Sequence, residues 1–285
     1  SNTSSLSVND LAKATNRPDR FVGLHFFYHP AKNRLIEIIP AETTSEQTLQ
    51  AVENYCKAMG KVVIVCKDRP GFVVNRFFVP WLNEACLLLE EGVASISQID
   101  SIACNAFDIG MGPFALMNLT GPSIALHATD YLAEQLNTSR YRGASNLREI
   151  VSNNELWEID NNTEYEKYVE EIVKERLLGQ VFTVSAQIVD EEICSKEDVD
   201  RGAKVGLRWN KGPFEIANEM GIDKVFKISK KYCELANMDI PALLQIQKEL
   251  DMAFDFSYVD IKIDNDIATV ILNLSLIHIS EPTRL

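Results

Sequence analysis

His25 and Glu37 are the two residues of this 285-residue chain whose types and spacing best suit acid–base chemistry. Proton abstraction from an alcohol, coupled to loss of a hydride, needs a base with a pKa near neutrality and a group that holds that base in one tautomer. His25 lies in one apolar run and Glu37 in the next, with a turn containing Pro30 between them. If the two runs form neighbouring strands, the carboxylate reaches one ring nitrogen and leaves the other for a substrate. Taken alone, the pattern favours the plainer interpretation of a core histidine with a satisfied hydrogen bond.

The elements that must position this pair lie in an α/β segment, residues 1–69. Its hydrophobic pattern predicts a short helix, three strands and a second helix. Thr44 and Gln47 fit a capping box ahead of the second helix, and Gly60 is a natural stop for it. The Pro-Gly pair that ends at Gly71 marks a domain boundary. The strands are predicted at residues 21–27, 35–39 and 62–66.

From Phe72 onward the apolar residues recur with a helical period, which predicts core-facing helices. The segment 76–121 matches the segment 176–221 at an offset of 100 residues. Such a duplication predicts two helical half-bundles that pack on one another. The matched positions are Ser95 with Ser195, Asp100 with Asp200, Ala103 with Ala203, Gly112-Pro113-Phe114 with Gly212-Pro213-Phe214, and Gly121 with Gly221.

Composition excludes several classes of function. The net charge of −13 argues against nucleic-acid binding, which needs a basic surface, although a local basic pocket can still hold a small anion. The six cysteines form no C-x-x-C pair, so we expect buried free thiols and neither a metal site nor a disulfide framework. No apolar run approaches the roughly 18 residues of a membrane span, and the N-terminal residues lack the pattern of a signal peptide. We therefore expect a cytoplasmic protein with no membrane partner.

The end of the chain changes character. Residues 137–165 are polar and rich in asparagine, and we interpret them as a connector with one helix. After about residue 250, two β-rich runs flank the turn residues Asp264-Asn265-Asp266, which predicts a hairpin. Residues 275–285 fit no element, and we interpret them as a non-native tail.

Several motifs, in order, resemble the 3-hydroxyacyl-CoA dehydrogenases over roughly residues 1–245. The run LHFFYHPAKNRLIEII is similar to the family's His–Glu motif, H-F-F-N-P followed by L-V-E-V. The opening SNTSSLSV, the approach DRFVGLHFF and the run KDRPGFVVNRFF also match the family. The resemblance implies a fold in which the α/β tail of a Rossmann-type NAD-binding domain precedes an all-α domain of two tandem helical repeats.

The resemblance also implies roles for particular residues. His25 would be the catalytic base, and Glu37 would orient it and stabilise its imidazolium. Asn75 would help order this pair and bind the substrate carbonyl, and Ser4 would lie near both the nicotinamide of NAD and the substrate oxygen. Without the resemblance, Ser4 fits a turn serine and Asn75 a helix cap.

Two departures from the family pattern affect the cofactor. Tyr28-His29 stands where the family has Asn-Pro, so the local contact with NAD would fall to Tyr28, which can donate a hydrogen bond. We expect His29 to be a surface residue or one that supports the site from behind, and not the base. These residues contain no Gly-rich turn of the kind that places a pyrophosphate on a helix N-terminus. The run Gly110-Met-Gly112 does not qualify, since it leads into a proline and does not follow a strand. We expect this polypeptide by itself to bind NAD poorly.

The sequence therefore predicts a fragment of an oxidoreductase that acts on an acyl-CoA. Two alternatives remain: a non-catalytic helical interaction module, and a related dehydrogenase for a free 3-hydroxy acid. We expect either a homodimer or a pseudo-dimeric monomer, because a second helical copy could cover the surface that a partner would otherwise cover. The run IATVILN resembles the opening strands of a crotonase-type enoyl-CoA hydratase domain, which often read I-A-x-I-x-L-N. The predicted divisions are 1–69 for the NAD-binding part, 70–165 and 166–250 for the two helical units, 251–274 for the start of this crotonase-like domain, and 275–285 for the tail.

Overall fold

The computed structural model describes residues 1–3, 6–257, 259–264 and 267–272. Its first part is an α/β segment in which a three-stranded sheet is covered by helices. The segment agrees with the element types predicted from the sequence. Its elements are α1 (Val8–Lys13), β1 (Val22–Phe26), β2 (Leu35–Pro40), α2 (Glu46–Ala58) and β3 (Val62–Val65).

The sheet has the order β1-β2-β3, with β1 antiparallel to β2 and β3 parallel to β2. Because successive side chains of a strand point to opposite faces, β2 contributes to two cores. Ile36 and Ile38 pack with Cys56 of α2, whereas Leu35 and Ile39 join the main core on the other side of the sheet. Glu37 alternates with the first pair and therefore faces the helical part.

The residue that caps the N-terminus of α2 is not the one predicted from the sequence. Ser45 is the N-cap, and its hydroxyl accepts a hydrogen bond from the backbone N–H of Thr48. The predicted cap, Thr44, is instead used in the preceding turn, where its hydroxyl accepts from the N–H of Ala41 and donates to the carbonyl of Phe21. Because the Thr44 hydroxyl is hydrogen-bonded to Phe21 next to β1, it does not cap α2, and the N-cap is the following residue, Ser45.

The remaining chain up to residue 250 is helical, as predicted. The helices from the boundary onward differ in length, but they follow in the same order on both sides of residue 166. They are α3 (Val74–Glu90), α4 (Ile96–Phe107), α5 (Pro113–Thr120), α6 (Pro122–Gln135), α7 (Ser145–Asn153), α8 (Lys167–Asp190), α9 (Lys196–Arg201), which continues as a π-helical turn over Gly202–Gly206, α10 (Pro213–Met220), α11 (Ile222–Ala236) and α12 (Ala242–Leu250).

Helices α3 and α8 pack against each other at the centre, and both are largely buried. Two ion pairs join them reciprocally. Arg76 on α3 pairs with Glu191 just beyond α8 at 2.5 Å, and Arg176 on α8 pairs with Glu91 just beyond α3 at 2.6 Å. Each residue of one ion pair corresponds, at an offset of 100, to a residue of the other pair: Arg76 to Arg176 and Glu191 to Glu91. Two units related by a two-fold axis are expected to make such reciprocal contacts.

Buried aspartates repeat the same relation. The two oxygens of Asp100 accept hydrogen bonds from the backbone N–H groups of Phe114 and Ala115 at 2.8 and 2.9 Å. The two oxygens of Asp200 accept in the same way from those of Phe214 and Glu215 at 2.8 and 3.0 Å. Each carboxylate thus caps the helix that begins at the Gly-Pro break. Burial raises the pKa of Asp100, and it raises the pKa of Asp200 to about 8.

The C-terminal strands pair as predicted. Strand β4 (Val259–Asp264) runs antiparallel to β5 (Ile267–Leu272), with the turn residues 265–266 and the proposed tail at 275–285 outside the described residues. The crotonase interpretation of this hairpin stays a prediction. None of the described helices is both long and apolar enough to cross a lipid bilayer.

Candidate active site

The pair predicted from the sequence is formed. His25 and Glu37 are register partners on β1 and β2, and residues directly opposite each other in an antiparallel pair project from the same face. The Nδ1 atom of His25 lies 2.6 Å from the Oε2 atom of Glu37. The prediction that the two strands run side by side, so that the carboxylate reaches one ring nitrogen, is confirmed.

The second oxygen of Glu37 is held by the start of α3. Oε1 accepts from the backbone N–H groups of Val73 and Val74 at 3.2 and 2.9 Å. The carboxylate is fully buried and meets the positive end of a 17-residue helix, an arrangement that suits a negative charge. Gly71 and Phe72, with φ of 78° and 47°, form the left-handed turn that aims these two N–H groups at Glu37.

The other ring nitrogen of His25, Nε2, has no hydrogen-bond partner within the part of the chain that the structure describes. The rings of Phe27 and Phe72 pack against the imidazole, with centroid distances of 4.6 and 5.7 Å. His25 is 6% exposed, and it lines a cavity. This is the arrangement of a general base, because Glu37 fixes the tautomer that leaves Nε2 unprotonated and would stabilise the imidazolium once Nε2 takes a proton.

The cavity has a volume of about 960 Å³ and lies between the sheet and the helical part. Its wall opposite β1 is mostly apolar and comes from α3, the loop after α4, and helices α5 and α6. A substrate with a long apolar group fits such a wall. The apolar lining residues from these elements are Phe78, Val79, Leu82, Ile109, Met111, Leu116, Leu119, Ile124, Ala125, Ala128 and Leu132.

The charged residues of the described lining are all cations, although the chain has 41 acidic and 28 basic residues. They are Lys32, from the loop between β1 and β2, and Arg208, from the segment that follows α9. Neither makes an ion pair with a described residue. In an acidic protein, a cavity with this local charge favours an anionic ligand.

The other predicted site residues fall as follows. Asn75 lines the cavity, but it is the second residue of α3, whose N-cap is Val73, so the alternative interpretation as a helix cap is wrong. Tyr28 lies at the cavity with 71% of its surface exposed. His29 is exposed, as expected, and its Nδ1 accepts from the N–H of Ala31. Ser4 lies outside the described residues.

Sequence reasoning missed two parts of the site. The N–H groups of Val73 and Val74 carry no side-chain signal, since any residue supplies them. The segment Gly206–Trp209 lines the cavity from a position remote in sequence, and nothing in its residue types points to His25. Lys32 could have been found, because it lies only seven residues after His25 in the sequence and could have been proposed as a cation at the same site.

Cysteine and metal chemistry are not supported at this site. Cys66 directly follows β3, and burial, followed by the negative charge of Glu37, raises the pKa of its thiol well above the ordinary value. A buried thiol with this shift is inert as a nucleophile. No group of three or more metal-binding side chains that could hold an ion occurs among the described residues.

The chain matches two family models. Residues 1–69 match the NAD binding domain of 3-hydroxyacyl-CoA dehydrogenase. Residues 71–166 and 172–254 match the C-terminal domain of the same family. The α/β segment therefore corresponds to part of a Rossmann-like domain, and the helical part to the C-terminal type.

Known proteins agree with this assignment. The mitochondrial hydroxyacyl-coenzyme A dehydrogenase of Mus musculus is 46% identical over 121 residues, which is 42% of this chain and 38% of the relative. The fatty acid oxidation complex subunit alpha of Idiomarina loihiensis is 28% identical over 84% of this chain and 38% of its own length. This chain thus spans well under half of either relative.

The fold agrees as well. The crystal structure of 3-hydroxybutyryl-CoA dehydrogenase from Escherichia coli superposes with a TM-score of 0.78 over 87% of this chain and 74% of that one, at 17% identity. A likeness at this identity concerns the fold alone. Because the family models match most of its length and the likeness to a family fold extends over both parts, the chain belongs to the 3-hydroxyacyl-CoA dehydrogenase family.

Proposed function

We propose that the protein oxidises an (S)-3-hydroxyacyl-CoA to a 3-ketoacyl-CoA with NAD, in fatty-acid or short-chain acyl-CoA metabolism. One observation carries the proposal: the buried His25–Glu37 pair presents a free Nε2 atom to an apolar cavity that carries two unpaired cations. A non-catalytic helical module would have no need of this arrangement. The family supports the same reaction.

The oxidation removes a proton from the 3-hydroxyl group and a hydride from C3. Nε2 of His25 accepts the proton, and the O–H electron pair forms the second bond of the ketone as the hydride leaves. Glu37, already hydrogen-bonded to Nδ1–H, stabilises the imidazolium that results. In the reverse direction the same imidazolium returns the proton to the alkoxide oxygen.

NAD, when bound, supplies the acceptor for the hydride. The open cavity next to a base with one free nitrogen fits the reacting end of such a cofactor, and we propose that Tyr28 and Ser4 contact that end. Asn75, at the start of α3 and on the same cavity, would bind the substrate carbonyl. Its amide can donate to an oxygen while His25 accepts the proton nearby.

An acyl-CoA suits the cavity better than a free 3-hydroxy acid. The apolar wall between α3 and α6 would bury an acyl chain, and burial of each methylene contributes about 0.8 kcal/mol. The phosphates of CoA supply the negative charges that unpaired cations attract. A small free acid would use neither the length of the wall nor the space in front of it.

We further propose that the helical part consists of two tandem repeats that together form a pseudo-dimer. The reciprocal ion pairs between α3 and α8 and the matching aspartate caps support this proposal. So does the carboxylate of Glu84, which is 1% exposed and accepts from both Arg140 and Arg176, one on each side of the division. A second copy that covers α3 in this way takes the place of a partner subunit.

The central experiment replaces the base. In the full-length protein, His25→Gln should lower the rate of NADH oxidation driven by acetoacetyl-CoA by about a hundredfold or more, as removal of a general base does. His29→Gln provides the matched control, because that imidazole is exposed and has no carboxylate partner among the described residues, and it should retain activity within about threefold.

Circular dichroism and thermal melting of both variants should match the unaltered protein, so that a loss of rate reports on chemistry. Equal rates for His25→Gln and the unaltered protein would show that His25 is structural. Absence of activity in every form, with the fold intact, would favour the interaction module or another substrate.

A further inference from the structure

The segment Gly206–Trp209 is fixed against the loop between β1 and β2. The side-chain amide of Asn33 donates to the carbonyl of Gly206 at 2.8 Å. A Cβ atom on Gly206 would lie 2.6 Å from Leu35 Cδ2, so only a glycine allows this approach without displacing Leu35. The second helical unit thus reaches the strand loop next to the catalytic pair.

The other end of the segment is anchored in the core. Trp209 is 4% exposed, and its ring packs with those of Phe77, Trp81 and Phe107 at centroid distances of 4.8 to 5.8 Å. Between these two anchors lies Arg208, which is exposed and lines the cavity. Its backbone position is therefore set by neighbours on both sides, while its side chain remains accessible.

Arg208 adopts a left-handed conformation, with φ of 61°. The residue 100 positions earlier, Asp108, follows α4 in the equivalent turn and has φ of 52°. An aspartate tolerates this region better than an arginine does. The turn itself therefore gives no reason for an arginine, and the first helical unit has the opposite charge at the same backbone position.

Lys32 provides the second charge. It lies on the loop whose Asn33 holds Gly206, so the two cations come from chain segments that are hydrogen-bonded to each other. Neither cation is paired with a described acid, and no Asp or Glu occurs in the described lining of the cavity. Two unpaired cations that line one cavity from hydrogen-bonded segments favour an anionic ligand there.

We propose that Arg208 and Lys32 bind an anionic group of the substrate, so that the second helical unit contributes directly to substrate recognition. This inference rests on the proposed function. The anion is either a phosphate of CoA or a carboxylate at the far end of the acyl chain. Arg208 can form a bidentate contact with either group, and Lys32 adds a point charge.

The test measures ligand binding by calorimetry in the full-length protein and needs no turnover. The ligands are coenzyme A, pantetheine, and pantetheine thioesters of a dicarboxylic acid and of a monocarboxylic acid of equal length. Arg208→Asn removes the charge and keeps a residue that tolerates a left-handed φ, and Lys32→Gln removes the second charge. Lys227→Gln, a cation on α11 that does not line the cavity, is the matched control.

Arg208→Asn should weaken binding of the ligand that carries the anion by about tenfold or more, as loss of a charged hydrogen bond does. Lys32→Gln should act in the same direction, and Lys227→Gln should leave binding unchanged. A loss confined to coenzyme A identifies the phosphate as the anion, and a loss confined to the dicarboxylic thioester identifies the carboxylate.

Arg208→Asp, which introduces the residue of the first unit, should weaken binding further through charge repulsion. The proposal is overturned if the variants bind all four ligands as the unaltered protein does, or if the unaltered protein binds neither coenzyme A nor the dicarboxylic thioester. Because His25→Gln tests turnover and not binding, these outcomes leave the test of the dehydrogenase function separate.

Discussion

At the scale of single residues, the site depends on how one carboxylate is shared. Glu37 accepts from His25 with one oxygen and from the N-terminus of α3 with the other. Both oxygens are needed, since an unsatisfied buried N–H group costs about 1–3 kcal/mol. The same residue therefore sets the tautomer of His25 and joins the sheet to the first helix of the helical part.

Glu37→Gln tests this double role. An amide has one acceptor oxygen and directs its NH₂ group at a donor, so the variant should lose about 1–3 kcal/mol of unfolding free energy. It should also lower kcat by about a hundredfold or more, because the tautomer of His25 is no longer fixed. Urea denaturation and the acetoacetyl-CoA assay measure the two effects.

The matched control is Glu42→Gln, an exposed glutamate five residues later that should change neither quantity. A Glu37→Gln protein with normal kcat would refute the role of Glu37 as partner of the base, whatever its stability.

At the scale of elements, the decisive feature is the turn that leads into α3. Gly71 has φ of 78°, and a Cβ atom there would lie 3.0 Å from both Cα and N of Arg76. Only glycine adopts this conformation in this space without strain. This turn positions the N–H groups that bind Glu37, so the geometry of the His25–Glu37 pair depends on a glycine at position 71.

Gly71→Ala should therefore lower both stability and kcat. Gly60→Ala is the matched control, because Gly60 also has a positive φ, 74°, but a Cβ atom there would meet nothing within 4 Å. The control should cost about 1–2 kcal/mol from the left-handed backbone alone, with kcat unchanged. Gly71→Ala should cost more and reduce kcat at least about tenfold, since a small displacement of catalytic groups has a large effect.

Thermal melting and steady-state kinetics on the two glycine variants give the comparison. Equal losses of stability with equal kcat would mean that the close approach at Gly71 does not position Glu37.

At the scale of the whole molecule, the two halves of the helical part, which we propose to be tandem repeats, pack on each other through α3 and α8. The buried side chain of Arg76, 4% exposed, pairs with Glu191, and Arg176 forms the reciprocal ion pair with Glu91. Burial of these faces leaves little of α3 free for another subunit. The second unit also completes the cavity through the segment that contains Arg208.

We therefore predict that the protein is a monomer. Sedimentation equilibrium at micromolar concentration should give the mass of one chain, with no change on dilution. A stable dimer would show that the second half of the helical part does not replace a partner, and it would leave the cavity and the His25–Glu37 pair unaffected.

Local patterns in the sequence were enough to predict the types and the order of the elements, whereas the role of His25 was predicted only from the resemblance of several motifs to a known family. The H-F-F and L-I-E runs indicate a histidine and a carboxylate on consecutive strands, and the change of hydrophobic period separates the α/β segment from the helices. Strand period, helix period and Gly-Pro breaks act over a few residues, so they can be recognised without any tertiary contact. The proposed duplication rests on residues that match at one offset, which are also visible in the sequence.

Contacts between distant parts of the chain determine the rest. The α2 cap is Ser45 and not Thr44, because a distant carbonyl uses the Thr44 hydroxyl. Val73 and Val74 hold Glu37 through backbone groups, which every residue type provides. Arg208 reaches the cavity of His25 only because two helical units far apart in sequence fold against one sheet, and the packing that brings them together is a property of the whole chain.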